Sequence, residues 1–178
     1  MKNIIVVAMP LAALLLASCA AFSGANPPGN TTYFVDPVKG DDARRGRSVR
    51  TAWKSLAKIN ALKLAPGDKV MIAPGRHEIT LKPSAEGTAQ KPVVIQFLPG
   101  VHEFGVEHAI RLPMFVSNSC DAPNEPKPIG ILVQNARHVR LQGGGVDGPG
   151  KTEILYAGRM VELFNDHAED IEYSGLVF

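Results

Sequence analysis

Asn135-Ala-Arg-His-Val-Arg-Leu-Gln-Gly143 returns as His167-Ala-Glu-Asp-Ile-Glu-Tyr-Ser-Gly175, 32 residues further on. Ala136 meets Ala168, Val139 meets Ile171, Leu141 meets Tyr173 and Gly143 meets Gly175. Each copy is a turn, a short run with alternate side chains apolar, and then a glycine. Alternation at period two marks a strand with one buried face. A pattern that recurs at a fixed interval marks a chain whose successive turns bury their apolar faces against one another.

The rest of the chain repeats the theme. Pro66-Gly-Asp-Lys-Val-Met-Ile-Ala-Pro-Gly75 is a strand between two Pro-Gly turns, and Val93-Val-Ile-Gln-Phe97 is another, closed by Pro99-Gly100. Strand starts at Val70, Val93 and Phe115, and later at Val139 and Val161, lie about 22 residues apart, within the range of solenoid repeats. A β-sandwich also has many short strands, but it does not account for the echo at 135 and 167. The sequence therefore predicts an all-β chain, a right-handed parallel β-helix. Trp53, Leu56, Ile59 and Leu62 fall at helical spacing, with Thr51 as N-cap. They predict a short helix from Thr51 to Leu64 that covers the first coil. The sequence stops at Phe178 inside the strand-like run Leu176-Val-Phe, and further coils are expected beyond it.

The first 32 residues carry an address. Lys2 precedes an apolar run from Ile4 to Leu16, too short to span a bilayer and long enough for a secretory signal. The run ends in Leu16-Ala17-Ser18-Cys19, which looks like a bacterial lipobox, cut before Cys19 so that the thiol takes diacylglycerol. The alternative is an ordinary secretory peptide cut a few residues later. Ala20 follows, not the Asp associated with inner-membrane retention, so an outer-membrane lipid anchor is expected. The chain then divides into a signal at 1–18, a lipidated Cys19 with a polar tether to residue 32, and β-helix coils at 33–178. With Cys19 lipidated, Cys120 has no partner for an intramolecular disulfide.

A net charge of +2 is too small to imply a nucleic-acid partner, and the membrane enters only through the lipid anchor. No His/Cys spacing suggests zinc, and there is no Walker loop or dinucleotide fingerprint, so no cofactor is expected. Gly40-Asp41-Asp42 reads as a solvated turn, since it lacks the spaced ligands of a calcium loop.

The carboxylates that invite a role are Asp121, Asp147, Asp166 and Asp170. Asp121 lies in the long Ser117–Pro128 insertion, which has room to reach a ligand. Asp166-His167 pairs an acid with a group able to tune it. Yet both occupy the turn position of the repeat, opposite Gln134 and Asn135, where side chains of this kind usually satisfy turn backbone. Asp147 sits between Val146 and Gly148 as turn chemistry. Arg137, His138 and Arg140 read as outward, solvated strand positions, and Cys120 as partly buried. Trp53 reads as core of the cap, with sugar stacking as the alternative.

Residues 31–100, with Tyr33-Phe-Val-Asp36, Pro66-Gly-Asp68 and Pro74-Gly75, resemble the opening of many secreted β-helix carbohydrate enzymes. A narrower set follows in order: Phe97-Leu-Pro-Gly-Val-His-Glu-Phe104, Phe115-Val-Ser-Asn118, Lys127-Pro-Ile-Gly-Ile131, Val139-Arg-Leu-Gln-Gly143 and Gly158-Arg-Met160. This set, over residues 97–178, resembles the N-terminal part of glycoside hydrolase family 110, bacterial α-1,3-galactosidases. Where a histidine is expected after Ser117-Asn118, this chain has Ser119-Cys120.

The resemblance implies an exo-acting, inverting hydrolase of terminal α-galactose on glycans, without cofactor. Its carboxylate pair is expected beyond Phe178, so no catalytic residue is carried over, and Asp121, Asp166 and His167 remain candidates for substrate contact. The alternatives are a β-helix polysaccharide lyase, or a non-catalytic lipid-anchored scaffold or remnant.

Overall fold

The computed structural model describes residues 29–116, 126–156 and 161–178. The expected signal segment, Cys19, Cys120 and Asp121 lie outside them. About half of the described residues are in strands, helix is confined to short turns, and the strand pairings are parallel apart from one.

The first sheet takes β1 (Thr32–Val35), β3 (Lys69–Ile72), β6 (Val93–Phe97), β10 (Arg137–Gln142) and β13 (Glu169–Ser174), in that spatial order. Registers align one inward file across all five: Tyr33, Val70, Ile95, Leu141 and Tyr173. A second file runs Val35, Ile72, Phe97. The residues between these files face outward, which is the period-two pattern read from the sequence. Except for half-buried Tyr173, every residue in the two files is buried. Stacking like on like lets each strand bury its apolar face on the next without a separate second layer.

The second sheet holds β4 (Gly75–Ile79), β7 (Gly100–His108) and β11 (Thr152–Tyr156). Its inner file is aromatic: His77 against Phe104 against Tyr156, with ring centroids 5.3 and 5.7 Å apart. In the third sheet β9 (Pro126–Gln134) runs parallel to β12 (Val161–Asp166) and antiparallel to β8 (Ile110–Val116). Two short strands, β2 (Lys63–Leu64) and β5 (Ser84–Ala85), pair separately. From β10 the chain visits the second sheet at β11, the third at β12, and returns to the first at β13, 32 residues after it left.

Two expectations need correction. The first concerns spacing. Within the first sheet Val70 pairs with Ile95, Val93 with Val139 and Val139 with Ile171, so the intervals are unequal. Phe115 and Val161 belong to the third sheet, and the even spacing had mixed strands from different sheets. The second concerns the helix from Thr51 to Leu64. A 3-10 turn covers Val49–Thr51 and a single α-helical turn, α1, covers Ala57–Asn60. Trp53 instead bridges to β1, donating its N–H to Phe34 and accepting from Asp36. Asp42 accepts the N–H groups of Lys54 and Ser55 at 2.8 and 2.9 Å. Those long-range bonds outcompete the local helical ones. Trp53, Leu56 and Ile59 are nonetheless buried, and this segment covers the free edge of β1, as an exposed edge requires.

Candidate functional site

The corner that follows the third sheet carries a column of polar residues. Isolated bridges pair Leu81 with Ile131 and Glu86 with Arg137, which sets Pro83 and Ser84 opposite Gln134 and Asn135. On the next level Gln134 pairs with Asp166, and Asn135 donates its N–H to the Asp166 carbonyl at 3.0 Å. The column thus rises through three levels, roughly 10 Å at ordinary strand spacing.

Beside it lies a cleft of about 390 Å³ lined by Asn60, Lys82, Ser84, Ile110, Gln134 and Asn135, within the size range of ligand sites. Its walls are tied by buried polar bonds. Asn60 donates to the Thr80 carbonyl and accepts the Lys82 N–H, both at 2.8 Å. The Thr80 hydroxyl, buried, donates to the Ile129 carbonyl at 2.6 Å and accepts the Ile110 N–H at 2.7 Å. Asn60 and Thr80 escaped the sequence reading; the one signal was an asparagine interrupting the apolar run Ile59-Asn60-Ala61-Leu62.

Asp166 and His167 sit at the head of the column. The Gln134 amide donates to Asp166 Oδ2 at 2.6 Å, and His167 Nδ1 lies 2.5 Å from Oδ1. The Gln134 bond, more than His167, holds the Asp166 carboxyl below its ordinary value of 3.8. Asp166 is therefore an ionised acceptor near neutrality and unsuited to give up a proton as a general acid.

Asp170 lies on the outer face of the first sheet, where Arg140 and His138 bind it. Those bonds, Arg140's first, hold its carboxyl down as well. Arg137 pairs with Glu169, and Arg140 also reaches Glu172 at 2.9 Å. The three outward residues of β10, expected to be solvated, are thus engaged by β13. Asp147 is exposed beside a 3-10 turn and makes no cap bond there. Asp42 completes the set: burial works against its charge, but bonds from Ser55 and Lys54 prevail and lower its pKa. Asp36 and Asp41 accept nearby turn N–H groups. Trp53 is stacked on Tyr33 at 5.5 Å, with its indole N–H on the Arg44 carbonyl, so it is core.

One titratable pair is buried. His102 donates from Nε2 to the Leu98 carbonyl at 2.8 Å, which leaves its Nδ1 to accept from His77 Nε2 at 3.3 Å. Burial, with His102 adding, pushes the His77 pKa down to about 3. Burial lowers His102 too, against the Leu98 bond. Both rings are neutral parts of the core.

No protein-family model matches the chain. It is 41% identical over 150 residues to α-1,3-galactosidase A of Akkermansia muciniphila, covering 84% of this chain and 24% of that protein. Over that stretch the chain is similar to an α-1,3-galactosidase. A lacto-N-biosidase of Bifidobacterium longum is 36% identical over 103 residues, 49% of this chain and 6% of that protein. Crystal structures of a GH136 lacto-N-biosidase from Eubacterium ramulus superpose with a TM-score of 0.55 at 19% identity, over 83% of this chain and 26% of theirs. The chain spans about a quarter of the α-1,3-galactosidase and less of the curated lacto-N-biosidase.

Proposed function

We propose that this chain is the N-terminal part of a glycoside hydrolase that removes terminal α-1,3-linked galactose from glycans with inversion, built on a right-handed parallel β-helix. The observation that carries this is the 41% identity to a curated α-1,3-galactosidase across 84% of the chain. The stacked parallel sheets and the passage from β10 through β11 and β12 to β13 support the β-helix.

Inverting hydrolysis needs one carboxylic acid to protonate the leaving oxygen and one carboxylate to activate water, roughly 6.5–9.5 Å apart. Asp42, Asp166 and Asp170 are all held below the ordinary value, the wrong direction for the acid. We therefore place the catalytic pair beyond Phe178 and give the polar column the role of contacting glycan. No metal or organic cofactor enters this reaction. The Leu16-Ala-Ser-Cys19 run supports lipidation at Cys19 and an outer-membrane anchor; radiolabelled palmitate incorporation that survives Cys19→Ser would remove that proposal.

The test is to express the gene product that includes this chain and follow α-1,3-galactosyl oligosaccharides. Free galactose with inverted anomeric configuration is expected from the longer product, and none from residues 20–178 alone. Release of a disaccharide instead would favour the class of the lacto-N-biosidase relative. An ultraviolet-absorbing unsaturated sugar would mean a lyase and overturn the reading.

A further inference from the structure

The 390 Å³ cleft has unused polar groups of a particular kind. Lys82 lines it half-buried. The lysine ion pairs among the described residues are Lys63–Glu86 and Lys151–Glu153, and Lys82 is in neither. The nearest carboxylate along the column, Asp166, has both oxygens taken by Gln134 and His167. Among the described residues no hydrogen bond engages the Ser84 hydroxyl or the Asn135 side-chain amide either. Asn60, by contrast, is fully committed to backbone and holds the wall still.

The lining also lacks something. None of its residues is aromatic, and Ile110 and Pro83 are its apolar side chains. A neutral sugar is usually gripped by an aromatic platform under its apolar face, with hydrogen bonds setting orientation. Neutral hydrogen bonds alone exchange for water at little net gain. A bond between ammonium and an oxyanion is about twice as strong and is strengthened at a partly desolvated site. The free donors here, half-buried Lys82 with the exposed Ser84 and Asn135, line one cleft and suit an anionic oxygen flanked by hydroxyls.

We propose that this cleft is a binding subsite for a sugar residue carrying an anionic substituent, a carboxylate or a sulfate, with Lys82 as its counter-ion. The inference rests on the glycan reading above and adds to it a charge preference located away from the bond-breaking step. Ser84 and Asn135 bind the neighbouring hydroxyls, and Gln134, pinned by Asp166, fixes the back of the cleft.

Titrating the full chain with galacturonate, galactose 6-sulfate and galactose, by nuclear magnetic resonance or calorimetry, tests this directly. Both acidic sugars are expected to bind about tenfold or more tightly than galactose, and Lys82→Gln to erase that difference without lowering the melting temperature. A preference shared by the two acids means the anionic charge is read, and a preference for one identifies the substituent. Equal binding of galactose and the acids, or an unchanged preference in Lys82→Gln, overturns the proposal, as does no binding at all. Should Lys82→Gln fail to fold, wild type in about 0.5 M salt replaces it, where the acidic preference must collapse if it is ionic. Galactose release by the longer gene product is scored separately. Hydrolysis without acidic binding sinks only the subsite; acidic binding without hydrolysis sinks only the galactosidase assignment.

Discussion

His138 Nδ1 lies 2.6 Å from Asp170 Oδ2, and the two residues share left-handed backbone, with φ of 50° and 52°. They face one another between the pairs Arg137–Glu169 and Val139–Ile171. Asn135 and His167, the next such couple, repeat the geometry with φ of 51° and 48°. A side chain in this region costs about 1–2 kcal/mol relative to ordinary backbone, so an unusual local shape is held twice, 32 residues apart, and the side chains tie one copy to the other. Arg140 completes the clamp by donating to the Asp170 carbonyl at 2.8 Å and its carboxylate at 3.0 Å.

This geometry separates two substitutions that contacts alone would rank equally. Asp170→Gly and Asp170→Ala both lose the carboxylate, but glycine relieves the left-handed strain. Asp170→Gly is expected to melt above Asp170→Ala; the reverse order in thermal unfolding would remove strain from the account. The pH dependence has a definite sign. Arg140 and His138 lower the folded pKa of Asp170, so its contribution is present above the ordinary value of 3.8 and is lost as pH falls through the folded value. Both variants should show a weaker acid dependence below that point.

Asp68 ties the start of the described chain to the first sheet. It is fully buried, with Oδ1 accepting the Thr31 N–H and Oδ2 the Ala65 N–H, both at 2.9 Å. Asp68→Ala leaves two donors without their acceptor, for a loss of roughly 2–5 kcal/mol. Asp68→Asn keeps one acceptor and should lose about half as much. Urea unfolding gives both values, and an Ala variant within about 0.5 kcal/mol of wild type would exclude the proposed anchoring.

What could be read from the sequence was what repeats locally. The pairing of 135–143 with 167–175 gave the register of β10 on β13 residue for residue, because period-two burial permits no slip. The Gly143–Gly175 match also has a cause: a Cβ on Gly143 would sit 1.9 Å from the Gly175 carbonyl. Segment 51–64 misled because its apolar residues satisfy a helical period while its backbone N–H groups are taken by Asp42 and β1, acceptors 12 to 19 residues away in sequence. The cleft was illegible for a related reason. Asn60 meets Lys82 through its own side-chain bonds, and Lys82 is brought to Gln134 by the isolated Leu81–Ile131 bridge and the Thr80 hydroxyl, contacts that follow no period.

The inward register makes its own prediction at Leu141, fully buried between Ile95 and Tyr173. Leu141→Ala is expected to cost about 2–5 kcal/mol through lost burial and a residual cavity. Leu141→Asp would bury an unpaired charge beside apolar strands and should abolish the cooperative transition. A retained melting transition in the Asp variant would mean that this position faces water.

The buried histidines give the chain an acid sensitivity of opposite origin to that of Asp170. His77 is buried against Phe104 and His102, and burial first, then His102, takes its folded pKa from 6.5 to about 3. Unfolded, the ring would bind a proton at its ordinary value. Between pH 6.5 and about 3 the unfolded chain therefore holds a proton that the folded chain refuses, and stability falls as pH falls, by up to ~1.4 kcal/mol per unit. Above 6.5 the contribution is level. His77→Phe keeps the ring stack but removes the titration, so its stability curve should be flatter across that window, with the remaining slope owed in part to His102. At pH 7 the variant should be less stable than wild type, because His102 Nδ1 loses its donor inside the core. Chemical denaturation at several pH values between 4 and 8 decides the matter: parallel curves for wild type and His77→Phe would mean that His77 accepts its proton in the folded chain, and the neutral, donor-to-acceptor pairing of the two rings would have to be abandoned.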